Sequence, residues 1–192
     1  MTEIRHLSDT LKLGLLRLDE FSSQRNIHNR REAEKEGAVF LLNELFPNEK
    51  VRLMYRENGK PYAENKTGGI SISHSHHLLA ILVDHSNIHT GLDVELIRDK
   101  VLKIRHKFLS EREQNFIPKD NVMMHLAAWC IKETIYKIYA EGMLDFRENI
   151  HIDEFSEQSS LVKVKCIKEN HTFNKTIQIS RQEEYLMAWP ID

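Results

Sequence analysis

Two long segments of the chain repeat their apolar residues at helical spacing. Residues 122–140 show it most clearly, because one face recurs at i, i+3, i+4, i+7, i+8 and i+11. That face consists of Ala127, Cys130, Ile131, Thr134, Ile135 and Ile138. Residues 29–46 carry a similar stripe, Ala38, Leu41, Leu42 and Leu45, which Pro47 ends. Residues 7–20 mix apolar and polar positions and also predict a helix.

The middle and the end of the chain have strand patterns. Residues 70–74 alternate strictly, and residues 78–83 are a continuous apolar run typical of a buried strand. Turn residues at 57–61 and 84–87 separate these segments from their neighbours. Residues 91–96 alternate again, so we expect a strand that pairs with the one before it. The last 40 residues predict a β-meander, in which Val162, Val164 and Cys166 alternate with lysines. The whole order predicts an α+β fold with antiparallel sheets.

Composition narrows the possible functions of the chain. Its 192 residues, 41% hydrophobic and 29% charged, suit one domain or two small lobes with a packed core. The formal charge of -2 argues against a broadly basic nucleic-acid binder. Two cysteines without CxxC spacing exclude a disulfide framework and a cysteine-rich zinc site. Because the first residues do not resemble a signal peptide and no apolar run could span a bilayer, we expect a cytoplasmic protein without a membrane partner.

Asp93 and Glu95 are the first candidates for chemistry. They lie two apart on a predicted strand, so both carboxylates point to one face, roughly 6.6–6.8 Å apart along the chain. Leu92, Val94 and Leu96 are expected to point into the core. Two hard oxygen ligands on one face suit Mg²⁺, although a strand whose polar face meets solvent would show the same pattern.

Glu133 and Lys137 are the second candidates, one helical turn apart. Such a pair is also an ordinary surface ion pair, worth about 0.2–0.5 kcal/mol. Trp129, Lys132 and Tyr136 share their face of the helix, and a large aromatic beside charged residues is more typical of a pocket wall. The spacing alone leaves both interpretations open.

The polar segment Ser73-His74-Ser75-His76-His77 allows three interpretations. With His85 its histidines could bind zinc, and we expect His74 and His76 to share one strand face. The same side chains could donate hydrogen bonds to phosphate oxygens, or could simply be polar residues at a strand end. Lys60, in a predicted turn, is either solvated or functional. The sequence has no glycine-rich phosphate loop and no GxSxG motif.

Five motifs in order resemble the 4′-phosphopantetheinyl transferases, specifically the longer surfactin type that folds as a pseudo-dimer in one chain. The resemblance covers roughly residues 58–140, and its last three motifs together are specific. The motifs are Gly59-Lys60-Pro61, Ile72-Ser73-His74-Ser75, Gly91-Leu92-Asp93-Val94-Glu95, the Phe108 to Glu113 match to FxSxxE, and the Trp129 to Lys137 match to WxxKExxxK. It implies two similar α+β lobes related by a pseudo-twofold, which we place at residues 1–88 and 89–192, in a monomer.

The resemblance also implies a reaction and its residues. The phosphopantetheine arm of coenzyme A (CoA) would move to a serine of an apo acyl or peptidyl carrier protein, releasing 3′,5′-ADP. Asp93, Glu95 and Glu133 would hold Mg²⁺ or Mn²⁺, and Glu133 would also be the base. Lys137 would neutralise the leaving phosphate. The CoA phosphates would be bound by Lys60, Ser73, His74 and Lys137.

Some features depart from the family pattern or leave alternatives. Glu113 could be a base, a supporting residue or a helix cap. Thr134 replaces the usual small residue after the Lys-Glu pair, and no clear basic helix for the adenine and 3′-phosphate precedes residue 50. Arg30 and Arg31 could serve there, or could begin a solvated helix. A metal-dependent phosphoester hydrolase and a non-catalytic module that binds CoA or a carrier are the alternative functions.

Overall fold

The computed structural model describes residues 2–192, which form two compact units. One unit ends at Val94, and the other is Glu95–Asp192. The structure is α+β, and the strand pairs within residues 2–84 and within residues 150–190 are antiparallel, as predicted. The lobe boundary at residues 88 and 89 and the pseudo-twofold stay predictions. None of the helices within residues 2–192 combines the length and the apolar character that crossing a membrane requires.

The first unit contains a four-stranded sheet with two helices. Its elements are β1 (Thr2–His6), β2 (Leu11–Arg17), α1 (Leu18–Arg25), α2 (Arg30–Leu45), β3 (Leu53–Tyr55), β4 (Pro61–Ala63), β5 (Gly69–Ser75) and β6 (Leu78–Asp84). The sheet order is β1-β2-β6-β5, and β3 and β4 form a separate hairpin. The strands and turns predicted between residues 57 and 87 are thereby confirmed.

The helix predicted over residues 7–20 is wrong. Residues 11–17 form the internal strand β2, paired with β1 on one side and β6 on the other, and α1 begins only at Leu18. Five of the seven residues of β2 are buried, so its apolar residues do not alternate cleanly. Gly14 lets the sheet approach α2 closely, because an added Cβ would lie 3.0 Å from the Leu41 side chain.

The helix predicted over residues 29–46 is confirmed as α2. The Asn29 side chain caps it by accepting a hydrogen bond from the Glu32 N–H at 3.2 Å. Its predicted apolar stripe is buried, and together with Ala33 and Gly37 it forms the face turned toward the sheet.

The second unit is a helical layer followed by the predicted meander. It contains α3 (Lys100–Ile104), a 3-10 turn (Arg105–Lys107), α4 (Glu111–Phe116), α5 (Val122–Tyr139), β8 (Ile150–Ile152), β9 (Leu161–Lys168), β10 (His171–Gln182) and β11 (Tyr185–Pro190). The α5 helix is confirmed, and all six residues of its predicted face are buried. It packs against β11, β10 and β8, which places the core of this unit between helix and sheet.

The strand predicted over residues 91–96 exists as β7 (Asp93–Leu96), but its predicted partner is wrong. We expected it to pair with the preceding strand, β6. That strand already has β2 and β5 as neighbours and offers no free edge. Instead, β7 is the edge strand beside β11 in the sheet order β7-β11-β10-β9-β8.

Candidate functional site

Buried serine hydroxyls on β5 hold the segment that carries Asp93. The Ser71 hydroxyl accepts a hydrogen bond from the Leu92 N–H at 2.9 Å. The Ser73 hydroxyl accepts one from the Val94 N–H at 3.2 Å and donates one to Asp93 Oδ1 at 3.0 Å. Asp93 is itself buried, with 4% of its surface exposed. The Asp93 carboxylate is therefore hydrogen-bonded to Ser73, and the backbone directly before and after Asp93 is hydrogen-bonded to β5.

Glu95 is oriented by Trp129. The indole N–H of Trp129 donates a hydrogen bond to Glu95 Oε1 at 3.0 Å. Aromatic neighbours fix the indole itself, since its ring lies 5.2 Å from the Phe108 ring, edge-on, and 5.7 Å from the Phe146 ring. Glu95 is half-buried, so its carboxylate is held but remains within reach of solvent.

Trp129 and Glu95 line a groove of about 160 Å³ next to α3. The other lining residues are Leu96, Arg98, Lys100, Val101, Ile104 and Leu126. Trp129 therefore lines a groove, but Glu133 and Lys137, whose helix face was in question, are not among its lining residues, so their role stays a prediction. Leu96 is only half-buried, whereas Leu92 and Val94 are buried in the core as predicted.

Lys132 does not share the pocket face on which the sequence placed it. Its side chain is fully buried, and its ammonium donates to Glu113 Oε2 at 2.7 Å. The carbonyl oxygens of Phe146 and Ile150 accept from the same ammonium at 2.6 and 2.9 Å. A buried cation is tolerable when an anion and further acceptors surround it, as they do here. Glu133 and Lys137 are half-buried on the same helix, one turn apart.

Glu113 is a helix cap and a supporting residue. It forms a capping box with Ser110, whose hydroxyl accepts from the Glu113 N–H while Glu113 Oε2 accepts from the Ser110 N–H. Its other oxygen accepts from the Ile152 N–H at 3.0 Å. The Ser-x-x-Glu spacing is a sequence signal for such a box. No local signal pointed to Lys132 as the partner.

The histidine segment is split by the end of β5. The strand stops at Ser75, and His76 follows with φ 53°, so the prediction that His74 and His76 share a strand face is wrong. His74 is exposed, and its Nδ1 lies 3.4 Å from Glu34 Oε1. The same Glu34 oxygen accepts a hydrogen bond from the exposed Arg30 at 2.8 Å.

Lys60 lies after the tight turn between β3 and β4. Its ammonium nitrogen is buried, and among residues 2–192 nothing accepts a hydrogen bond from it. Burial, and secondarily the charge of Arg56, lowers the pKa of Lys60 from 10.5 to about 8. A cation in this state would be stabilised by an anionic ligand.

The three predicted metal ligands are hard oxygen donors of the type that Mg²⁺ takes, and Asp93 and Glu95 are already held by hydrogen bonds. Within residues 2–192 the structure has no group of three or more His, Cys, Asp or Glu side chains arranged to hold a metal ion. The ligand set Asp93, Glu95 and Glu133 therefore stays a prediction.

Comparisons with known proteins address the family directly. The family model of the 4′-phosphopantetheinyl transferase superfamily matches residues 89–190, just over half of the chain. The chain is also 29% identical over 121 residues to the 4′-phosphopantetheinyl transferase gsp of Aneurinibacillus migulanus, a match that covers 61% of this chain. The match spans about half (50%) of that relative's length. By the family match, the chain belongs to the 4′-phosphopantetheinyl transferase superfamily.

Proposed function

We propose that this protein transfers the 4′-phosphopantetheine arm of CoA to a serine of an apo acyl or peptidyl carrier protein. The serine oxygen would form a bond to the phosphorus that carries the pantetheine. The bond from that phosphorus to the bridging oxygen would break, and 3′,5′-ADP would leave with the electron pair. The serine proton would pass to a base. The products are a holo-carrier and 3′,5′-ADP.

The observation that supports this proposal most is the position of the family match. Residues 89–190 include the two metal-ligand candidates of β7 and both functional candidates of α5. In that range, Glu95 is held by the indole of a pocket-wall tryptophan. Transfer of a phosphoryl group depends mainly on positioning and charge neutralisation, so side chains held in this way suit the reaction.

Asp93, Glu95 and Glu133 would hold a divalent cation, Mg²⁺ or Mn²⁺. When bound, such an ion neutralises diphosphate charge and orients the reacting groups. Proton transfer, neutralisation of the leaving phosphate and binding of CoA would be carried out by the chain's own residues. Glu133 would accept the serine proton, directly or through water, and Lys137 would neutralise the leaving phosphate. Lys60 and His74 would bind CoA phosphates, and the buried ammonium of Lys60 makes it the stronger candidate.

The lobe arrangement that we propose follows the resemblance to the surfactin-type subfamily. We propose that the two units correspond to the two lobes of a single-chain pseudo-dimer that acts as a monomer in the cytoplasm. The element order supports this, because each unit has helices followed by antiparallel strands.

The test is mass spectrometry of an apo carrier protein after incubation with the full chain, CoA and Mg²⁺. We expect the carrier to gain one phosphopantetheine, and the gain to disappear with EDTA and return with Mg²⁺ or Mn²⁺. Asp93→Ala should abolish most of it. Release of phosphopantetheine without carrier modification would favour a hydrolase, and CoA binding without either product would favour a binding module. Full transfer in EDTA would refute the metal assignment.

A further inference from the structure

We infer that Ser73 is a positioning residue for Asp93, whose carboxylate it orients for a divalent cation. This inference rests on the proposed function, in which Asp93 is a metal ligand. It departs from what the family resemblance implied for Ser73, namely contact with a CoA phosphate.

The hydrogen-bond directions at Ser73 carry the argument. A backbone N–H can only donate, so the Ser73 oxygen must act as acceptor toward Val94. A serine hydroxyl has a single proton, and that proton is left for Asp93 Oδ1 at 3.0 Å. An ionised phosphate oxygen accepts hydrogen bonds and would need the same proton. Contact with a phosphate would therefore break the bond to Asp93.

Burial makes that exchange costly. Ser73 is 6% exposed and Asp93 is 4% exposed, so the hydrogen bond between them is shielded from water. A buried carboxylate that loses a donor is left poorly solvated, and hydrogen bonds to charged groups are worth about 1.5–3 kcal/mol. The contact with Asp93 is therefore the more stable use of the Ser73 proton.

The same bond sets the orientation of the carboxylate. A carboxylate is planar, so a donor fixed at Oδ1 restricts rotation of the group and sets the plane in which Oδ2 lies. Groups that hydrogen-bond to metal ligands typically change metal affinity by about 10–100-fold when they are removed. Ser73 would therefore act on metal affinity directly, and on the binding of CoA only through the metal.

Ser71 provides a matched control on the same strand. It is also buried, at 4% exposure, and its hydroxyl also accepts from a backbone N–H of this segment, that of Leu92. Ser73 differs from Ser71 because its hydroxyl also donates a hydrogen bond to the Asp93 carboxylate. Ser71→Ala and Ser73→Ala thus remove equivalent backbone contacts but differ at the carboxylate.

The experiment measures Mn²⁺ binding to the full chain without CoA, from the loss of the free-ion signal in electron paramagnetic resonance. We expect Ser73→Ala to weaken Mn²⁺ binding about 10–100-fold, with the KM for CoA at saturating metal unchanged. Ser71→Ala should bind Mn²⁺ much as wild type does, because the hydrogen bond given for its hydroxyl goes to a backbone N–H and not to the Asp93 carboxylate. Circular dichroism checks that each variant is folded. Ser73→Cys keeps a weak donor of similar size, and should lower Mn²⁺ affinity even if the alanine variant does not fold.

Two outcomes would overturn the inference while the proposed function stands. In the first, Ser73→Ala binds Mn²⁺ as wild type does and raises the KM for CoA, which would assign Ser73 to a phosphate. In the second, wild type modifies the carrier but binds no Mn²⁺ without CoA, which would mean that the metal site is not oriented before CoA binds. Failure of wild type both to bind Mn²⁺ and to modify a carrier would instead refute the proposed function.

Discussion

Replacing Lys132 with methionine should destabilise the second unit strongly. The substitution keeps an unbranched side chain of similar length but removes the ammonium. Glu113, only 1% exposed, then loses its cation, and the carbonyl oxygens of Phe146 and Ile150 lose a donor. The N–H groups of Ser110 and Ile152 still donate to Glu113, so its carboxylate is not stripped of all partners.

The size of the effect follows from the burial of the pair. Removing one partner of a buried ion pair typically costs about 3–5 kcal/mol, because the other charge is left uncompensated. At about 2–4 °C per kcal/mol for a chain of this size, the Tm should fall by about 6–20 °C. An exposed ion pair would be worth at most about 1 kcal/mol, so the two situations are easily distinguished.

Urea denaturation followed by circular dichroism measures the change in the free energy of unfolding. Lys163→Met is the control, because Lys163 is an exposed lysine on β9 and its loss should stay within about 0.5 kcal/mol. A loss below about 1 kcal/mol for Lys132→Met, the size expected of an exposed ion pair, would refute the reasoning.

Three further predictions concern activity. Because Lys60 is charged only below its pKa of about 8, kcat/KM for CoA should fall as pH rises through that value, and Lys60→Arg should remove this step; an unchanged profile would exclude a phosphate contact. Lys137→Ala should lower kcat more than it raises the KM for CoA in steady-state assays, because charge that is absent from the ground state develops on the leaving group in the transition state; unchanged turnover would make Lys137 an ordinary surface charge. Residues 98–107 hold five Lys or Arg and one Asp, a basic segment that would attract an acidic carrier. Changing Lys100 and Lys103 to Glu should therefore raise the KM for such a carrier and flatten its salt dependence, whereas a rise in the KM for CoA alone would assign α3 to the nucleotide.

The elements that the sequence predicted correctly are those with one buried face. On α5 the stripe from Ala127 to Ile138 repeats at helical spacing because a single face meets the sheet. On β9 the buried residues Val162, Val164 and Cys166 alternate with exposed ones for the same reason. β2 does not meet this condition, since it is internal to its sheet and largely buried. Its consecutive apolar residues Leu15 and Leu16 break the alternation of a strand and also fit a helical pattern.

The partner of β7 could not be predicted, because strand pairing depends on distant residues. Its neighbour β11 lies about 90 residues further along the chain, and the choice is decided by β6 having both edges occupied. In the candidate site, too, contacts between residues distant in sequence could not be predicted. The Ser110–Glu113 box is local and has a sequence signal, but the acceptors around Lys132 lie 14 to 19 residues away.

Lys132, which the sequence analysis placed on the wrong face of the helix, helps to fix the orientation of α5, which carries the proposed site residues Glu133 and Lys137. Successive residues of a helix are turned by about 100°, so fixing one side chain fixes the direction of the next. Three hydrogen bonds hold Lys132 inside the second unit, while the buried Thr134 hydroxyl donates to the Ala188 carbonyl of β11 at 3.0 Å. Glu133 lies between these two held residues. The helix cannot rotate about its axis without breaking both sets of bonds, so the direction in which the Glu133 side chain leaves the helix is set by its neighbours in the chain.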